Sequence, residues 1–572
     1  MNKKAEKEFC GRLLRSENGG TPSSAIAFSP EALLGFHLLL PRSLGVVSVA
    51  LVLSADGIGR VLTLPFSWSK TACGVDVYNA LLDLSGLAEK ASFFTYGVEL
   101  ESAYGRLYAC KKEGEEIGFS KKPPSEKENF CIYLYKPSYP LPTHLLGGAV
   151  YATEAFSEHT GAAILEEKEF FVPLFRLGAN AVWLTSCRKA DAAPWRAFQV
   201  LTPSARRASH ENGMAIYPDF WLAAGLGGNI GYFFEEDACR TPIAETGEPI
   251  PESCGAIPMP APSYTGRRPC CDHFCGTNGT VAEWLRAGAD GFFIRAADGV
   301  GDAFLFTVRE KIAEEGGHAL FGVLHAHQPG DIAFGVRRRF FFGGEFEGCI
   351  TSSLRNALIL YLTEGKSDEL RKIFTEEIFS LPADALHASF NALSLPGQYF
   401  FNALPENEDR EPLAMLAYLI AATLPGCPLI FAGDEWGNGE ENAENAMYTF
   451  YRRVAKLRQK EAVYRDGACR LLHLASDVLV FSREREGEAL LTVVNRSNAP
   501  LFLMGDFTVL FGGRGRKTQF VLPPFLGAVC RVSMWSGEQE CLRLSRTQPL
   551  PAASLDTHEK SEVLHFATHG AL

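Results

Sequence analysis

Charged side chains follow several short apolar runs in the middle of the chain, and their types could support chemistry. They are Asp219, Arg295, the acidic run 406–409 and the pair Asp434 and Glu435. One comparable run instead continues into the apolar Val323. Carboxylates can act as nucleophiles or as general acids and bases. A guanidinium is permanently protonated and only donates hydrogen bonds, so reactive chemistry at these positions would depend on the carboxylates.

A second group of potential ligands is a cluster of thiols and an imidazole, consisting of Cys270, Cys271, His273 and Cys275. These side chains are zinc ligands, but structural zinc sites usually combine two ligand pairs at a fixed spacing. Here the ligands are crowded and no second pair follows. We therefore predict a loop with thiols and no metal or other cofactor, with metal binding at this cluster as the alternative.

The elements that must position the charged residues follow a strand–helix–strand rhythm. Short apolar runs alternate with helical stretches of about ten residues, as in parallel sheets. The predicted strands are 179–184, 214–218, 291–294, 319–324, 399–404 and 428–432. Six such repeats favour the α/β class and a (β/α)₈ TIM barrel, in which reactive residues lie at the C-terminal ends of the strands.

The flanking segments have the short alternating strands of antiparallel β domains. We predict an N-terminal β-sandwich over residues 25–140, the barrel over 141–465 and a C-terminal antiparallel β domain over 466–545. The remaining segments, 1–24 and 546–572, are predicted to be a flexible tail and a loose tail.

Composition excludes several classes of protein. The chain has 572 residues, of which 47% are hydrophobic and 21% charged, with a formal charge of −12. This composition does not indicate disorder or a basic nucleic-acid-binding face. No long apolar segment predicts a membrane span, and no apolar region follows the N-terminal charges as in a secretory signal. Fifteen scattered cysteines, an odd number, favour a reducing cytoplasm.

The segment 424–437, Leu-Pro-Gly-Cys-Pro-Leu-Ile-Phe-Ala-Gly-Asp-Glu-Trp-Gly, strongly resembles the last barrel strand of the α-amylase family, glycoside hydrolase family 13. The helical stretch 450–458 resembles the helix that closes that family's barrel. The N-terminal domain is similar to the extra domain of the neopullulanase and cyclomaltodextrinase subgroup. The resemblance covers roughly residues 25–545 and implies a protein of α-glucan metabolism.

This resemblance implies a retaining mechanism with a carboxylate nucleophile, a general acid and a third carboxylate. In this chain the family's nucleophile position is held by Arg295, and the Arg two residues before it is replaced by Phe293. The general-acid position is held by Val323. The third carboxylate corresponds to Glu408 or Asp409, depending on a one-residue shift of the alignment.

Two of the three chemical carboxylates are thus replaced by residues that cannot do the same chemistry. The sequence therefore predicts a non-catalytic pseudo-glycosidase that binds α-glucan or has a regulatory role. The alternative is an active α-glucan hydrolase or transglycosylase that uses other carboxylates, among Glu406, Glu408, Asp409 and Asp434.

Residues near predicted strand ends are candidates for binding a maltooligosaccharide: Asp219, Trp195, Trp221, Glu408, Asp409 and Trp436. For each tryptophan, core packing is an equal alternative. Arg295 is expected to form an ion pair with Asp219 or with a carboxylate of the 406–409 run. By resemblance to the subgroup, a homodimer through the N-terminal domain is expected.

A basic and aromatic run, Arg-Arg-Arg-Phe-Phe-Phe at 337–342, has two interpretations. It could contact an anionic ligand, or its phenylalanines could be buried while its arginines are solvated. The second interpretation is preferred on the sequence.

Overall fold

A computed structural model describes the larger part of the chain. The described residues are 10–17, 27–28, 32–55, 58–87, 91, 93–111, 116–123, 130–134, 142–155, 164–166, 170–185, 200–220, 274–295, 297, 300, 302–324, 332–333, 336–340, 345–374, 383–437, 442, 444–533 and 543–546. They form two compact units. The first consists mainly of Met1–Pro137, and the second of Ser138–Ile378 and Ala383–Gly570.

The first unit is built on an eleven-stranded, mostly antiparallel sheet in the described residues. Alternating burial along its strands places one face against a single apolar core. Its strands are β1 (Cys10–Glu17), β2 (Ala27–Phe28), β3 (Leu33–Pro41), β4 (Val46–Ala55), β5 (Gly59–Pro65), β6 (Ser67–Ala72), β7 (Val75–Asp83), β8 (Phe93–Ser102), β9 (Gly105–Lys111), β10 (Glu116–Ser120) and β11 (Phe130–Leu134).

The second unit contains a closed barrel of eight parallel strands, which confirms the predicted fold class. The first and last barrel strands pair with each other and close the sheet. The barrel strands are β12 (Ala149–Glu154), β13 (Ala179–Thr185), β14 (Ala215–Phe220), β15 (Gly291–Arg295) and β16 (Ala319–Leu324). After the small hairpin β17 (Ile332–Ala333) and β18 (Val336–Arg337), they continue with β19 (Gly348–Thr351), β20 (Phe390–Ala392) and β21 (Cys427–Phe431).

Helices connect most of the barrel strands. They are α1 (Phe171–Arg176), α2 (Pro203–Glu211), α3 (Thr280–Ala287), α4 (Asp302–Glu314), α5 (Ser353–Glu364), α6 (Asp368–Lys372), α7 (Ala383–His387), α8 (Arg410–Thr423), α9 (Ala446–Lys460) and α10 (Val463–Asp466). Local sequence fixes their ends. Asn445, for example, accepts a hydrogen bond from the Tyr448 amide and so caps the start of α9.

A seven-stranded antiparallel sheet follows the barrel within the second unit. The buried Arg483 joins the two parts, because it donates to the carbonyls of Thr423, at the end of α8, and of Gly467. The strands of this sheet are β22 (Ala468–Leu474), β23 (Val478–Arg485), β24 (Glu488–Asn495), β25 (Leu501–Phe511), β26 (Gly515–Leu522), β27 (Leu526–Ser533) and β28 (Arg543–Ser545).

One predicted barrel strand is wrong. Residues 399–404 do not form a strand, and Phe401–Ala403 is a single 3₁₀ turn. The strand at this place in the barrel is β20, nine residues earlier and only three residues long. An apolar run of six residues fits a buried turn as well as a strand, and here Phe400 and Phe401 are buried without a ladder.

The barrel interior is filled by five aromatic side chains from five strands: Trp183, Tyr217, Phe293, Phe321 and Phe390. Each is at most 4% exposed. Phe293 is the centre of this aromatic cluster, since its ring centroid lies 4.6 to 6.1 Å from those of the other four. An arginine could not replace it without burying a charge among aromatic rings.

Among the residues that the structure describes, no helix is long and apolar enough to cross a membrane.

The aromatic cluster gives the first prediction. Phe293→Ala should lower the free energy of unfolding of the barrel by about 3–5 kcal/mol, because it leaves a large cavity that five packed strands cannot close. The matched control is Phe175→Ala on α1, where the ring is exposed and the cost should stay below about 1 kcal/mol. Denaturant unfolding measures both, and equal losses would contradict the central role of Phe293.

Candidate functional site

The C-terminal ends of β14 and β15 are joined by an ion pair. Asp219 is the penultimate residue of β14, and Arg295 is the last residue of β15. Nε of Arg295 lies 2.5 Å from Oδ2 of Asp219, and the two side chains are 19% and 4% exposed. The predicted ion pair between Arg295 and Asp219 is therefore confirmed.

This ion pair lies directly above the aromatic cluster. Phe293 and Arg295 are two residues apart on one strand, so their side chains point to the same face, into the barrel. Asp219 is paired with Phe293 in the sheet register. The layer at the top of the barrel on this side therefore consists of a guanidinium and a carboxylate that neutralise each other.

The next strand, β16, ends without a titratable group among the residues that the structure describes. Val323 is paired with Arg295 in the sheet register and is buried in the barrel core. A valine side chain cannot hold or release a proton. Three neighbouring strands thus present a carboxylate, a guanidinium and an isopropyl group.

The acidic run 406–409 does not directly follow a barrel strand. The residues that follow β20 are instead Leu393, Ser394 and Leu395, all buried. Glu408 is exposed and Asp409 partly exposed, just before α8. The placement of a third carboxylate at Glu408 or Asp409 relied on the strand that is wrong, and neither residue directly follows a barrel strand.

The turn after β21 carries two carboxylates, and each accepts a hydrogen bond from another part of the barrel. Asp434 accepts a hydrogen bond from Ser394 at 2.6 Å, and Glu435 accepts one from Tyr151 at 2.7 Å. Burial raises the pKa of Asp434 to about 6 and the pKa of Glu435 to about 7. These contacts connect the end of β21 to β12 and to the loop after β20, so both carboxylates hold the barrel closed.

Of the three candidate tryptophans, the structure describes only Trp436. Trp436 is half-buried and stacks on Tyr448 of α9, with ring centroids 4.5 Å apart. Trp195 and Trp221 lie outside the described residues. An aromatic residue that the sequence analysis missed, Tyr399, is exposed in the loop after β20. The Pro396–Gly397 turn just before it was the sequence signal that could have located this loop.

The basic run near residue 338 anchors the loop after β15. Arg338 is fully buried, so the expectation of solvated arginines is wrong at this position. Its Nε lies 2.7 Å from Asp302, and its Nη2 donates to the carbonyl of Val300 at 2.6 Å. Phe340 is buried as expected, and the guanidinium lies 4.2 Å from its ring centroid. Arg338 therefore fixes the segment that follows Arg295.

A buried carboxyl completes this anchor. Glu345 is 1% exposed and faces the Asp302 carboxylate together with Arg338 and Arg339. Burial raises the pKa of Glu345 to about 7, the neighbouring Asp302 raises it further, and the two arginines oppose the shift. Burial also raises the pKa of Asp302. Burial and the neighbouring carboxylate therefore favour the protonated form of Glu345.

The described residues contain no group of three or more His, Cys, Asp or Glu side chains that could hold a metal ion. Of the sequence cluster, only Cys275 is described, as a partly exposed thiol. Cys270, Cys271 and His273 lie outside the described residues, and the prediction about this cluster stays a prediction.

Comparison with known proteins shows the fold. No protein-family model and no curated protein matches the chain. A solved cyclomaltodextrinase matches with a TM-score of 0.54 and 14% identity, over 90% of this chain and 99% of that one. An α-amylase from Anoxybacillus matches with a TM-score of 0.53 and 13% identity, over 70% of this chain and 100% of that one. An α-amylase from Geobacillus thermoleovorans, complexed with acarbose, matches with a TM-score of 0.52 and 14% identity, over 67% of this chain and 98% of that one.

These matches confirm the resemblance to the α-amylase family at the level of the fold. The cyclomaltodextrinase match extends over most of the chain, whereas the two α-amylase matches cover about two thirds of it.

The ion pair at the strand ends can be tested by its removal. Arg295→Met should lower the free energy of unfolding by about 2–4 kcal/mol, because it takes the guanidinium from beside a buried carboxylate. In the control, Arg286→Met breaks the more exposed pair with Glu315 and should cost less than about 1 kcal/mol. Chemical denaturation measures both losses of unfolding free energy. Equal losses would contradict the buried character of the Arg295 pair.

The buried Glu345 gives a pH prediction. Its pKa in the folded protein, about 7, lies above the ordinary 4.5, so the folded state holds an extra proton between these values. The free energy of unfolding of the wild type, relative to Glu345→Gln, should therefore fall by up to about 3 kcal/mol as the pH rises from 4.5 to 7. The glutamine side chain is neutral throughout this pH range, as the protonated acid is.

Denaturant unfolding between pH 5 and pH 8 measures this difference. Glu488→Gln is the control, since Glu488 is exposed and this variant should stay parallel to the wild type. A Glu345→Gln curve that also stays parallel to the wild type would show that Glu345 does not titrate in this window.

Proposed function

We propose that this chain is a non-catalytic pseudo-glycosidase of carbohydrate metabolism, which binds α-glucan or has a regulatory role. The observation that supports this proposal most strongly is the ion pair between Arg295 and Asp219 at the C-terminal ends of β14 and β15. In a barrel of this kind, the strand ends are the place where reactive groups must be presented.

The chemistry of the strand ends supports the loss of catalysis. A retaining glycosidase needs a carboxylate nucleophile and a carboxylic acid about 5–5.5 Å apart. Arg295 and Val323 occupy neighbouring positions where these groups would be expected from the family resemblance. A protonated guanidinium has no lone pair for attack on an anomeric carbon, and valine has no proton to give.

The remaining carboxylates give little support to the alternative of an active enzyme. Glu406 is almost fully exposed beside Arg410, and Glu408 is exposed as well. Asp434 and Glu435 are buried and bonded to Ser394 and Tyr151. None of these arrangements resembles two carboxyl groups facing each other across a sugar.

The choice of α-glucan as the ligand depends on the similarity of this chain to known structures and to a known family. The similar structures are described as a cyclomaltodextrinase and as α-amylases, one of them complexed with acarbose. The family resemblance of segment 424–437 points to the same class of sugar. We also propose a cytoplasmic location, from the cysteine usage, and a homodimer through the N-terminal domain.

Hydrolysis assays and calorimetry test this proposal together. Purified protein incubated with maltoheptaose, β-cyclodextrin, pullulan or nitrophenyl maltoside should release no product above the blank. Titration with maltoheptaose at millimolar concentration should release or absorb heat. Absence of heat would remove the α-glucan-binding role.

Product release would revive the alternative if it disappeared in Glu408→Gln or Asp409→Asn. Glu488→Gln, in the C-terminal sheet, is the control and should leave such an activity unchanged. Activity lost only in the first two variants would overturn the proposed loss of catalysis.

A further inference from the structure

Tyr399 is exposed at the C-terminal end of the barrel, on a loop that the structure holds in place. The loop follows β20, and the tyrosine is 40% exposed between the buried Leu395 and Phe400.

The loop that presents Tyr399 is rigid for three reasons. Leu395 and Gln398 exchange two backbone hydrogen bonds across the Pro396–Gly397 turn. Gly397 has a φ of +78°, which a glycine adopts without strain. Ser394 accepts a hydrogen bond from the Phe400 amide at 2.8 Å and donates to the buried Asp434. The backbone is thus held in place both before and after Tyr399.

The ring itself is oriented by packing. It lies edge-to-face with Phe431, the last residue of β21, with centroids 5.4 Å apart and an interplanar angle of 83°. Gly433 lies near the ring as well, since a Cβ added there would be 3.9 Å from Cε1, an ordinary van der Waals contact. The packing against Phe431 therefore orients the ring at the rim of the barrel.

We propose that Tyr399 is the aromatic platform on which an α-glucan binds at the rim of the barrel, an inference that rests on the proposed function. A flat ring held exposed on a rigid loop can stack on the apolar face of a glucose unit with little loss of entropy. The phenol hydroxyl at its edge can hydrogen-bond a sugar hydroxyl.

Calorimetric titration with maltoheptaose tests this platform. Tyr399→Ala should weaken binding by about tenfold or more, and Tyr399→Leu by a similar factor, because leucine keeps an apolar contact but has no flat ring. Tyr399→Phe should weaken it by no more than about threefold. Tyr104→Ala, at an exposed tyrosine in the β8–β9 turn of the first unit, is the control and should bind as the wild type does.

The outcomes distinguish failure of the Tyr399 platform from failure of α-glucan binding itself. Wild-type binding that is unchanged in Tyr399→Ala and Tyr399→Leu would overturn the platform and leave α-glucan binding intact. Absence of binding by the wild type would overturn the proposed function and the platform with it. Thermal unfolding of each variant, expected within about 2 °C of the wild type because the ring is exposed, shows that a loss of binding does not come from unfolding.

Discussion

The ion pair between Arg295 and Asp219 is the constraint that most of the upper barrel depends on. A guanidinium so little exposed needs a carboxylate beside it, and a carboxylate as buried as Asp219 needs a cation. The pair lies above the aromatic cluster around Phe293, with which Asp219 is paired in the sheet register. The guanidinium and the carboxylate therefore compensate each other's charge at the ends of β14 and β15.

The carboxylates that the structure buries elsewhere in this barrel serve its architecture. Asp434 and Glu435 connect the last strand to the first strand and to the loop after β20. Glu347 forms a buried pair with Arg309 and also accepts from the Leu320 amide. Groups of this kind stabilise the fold only while they keep their partners or their protons.

The sequence predicted those parts of the fold in which local signals and burial agree. The apolar run 179–184 was placed almost to the residue, and the helical stretch 450–458 lies within the observed helix Ala446–Lys460. The three-residue strand β20 was missed, since its neighbour 399–404 is more apolar and longer. The error moved the expected third carboxylate to Glu408 or Asp409.

The candidate site was predictable where neighbouring strands fix it. Asp219 and Arg295 end strands that are adjacent in the barrel, so their contact follows from topology and opposite charge. The burial of Arg338 could not be foreseen, because its partners Asp302 and Val300 belong to a distant segment. Tyr399 was missed because its exposure depends on how the Pro396–Gly397 turn is anchored.

The central claim, that no carboxylate of this chain attacks a glucosyl unit, can be tested by trapping. A fluorinated maltosyl fluoride whose covalent intermediate is hydrolysed more slowly than it forms labels the nucleophile of a retaining glycosidase that accepts maltosyl donors. We predict that the intact mass of the protein stays unchanged after prolonged incubation with this reagent. A mass increase of one fluorinated maltosyl unit, mapped by peptide sequencing to an aspartate or glutamate, would contradict the claim and identify the nucleophile.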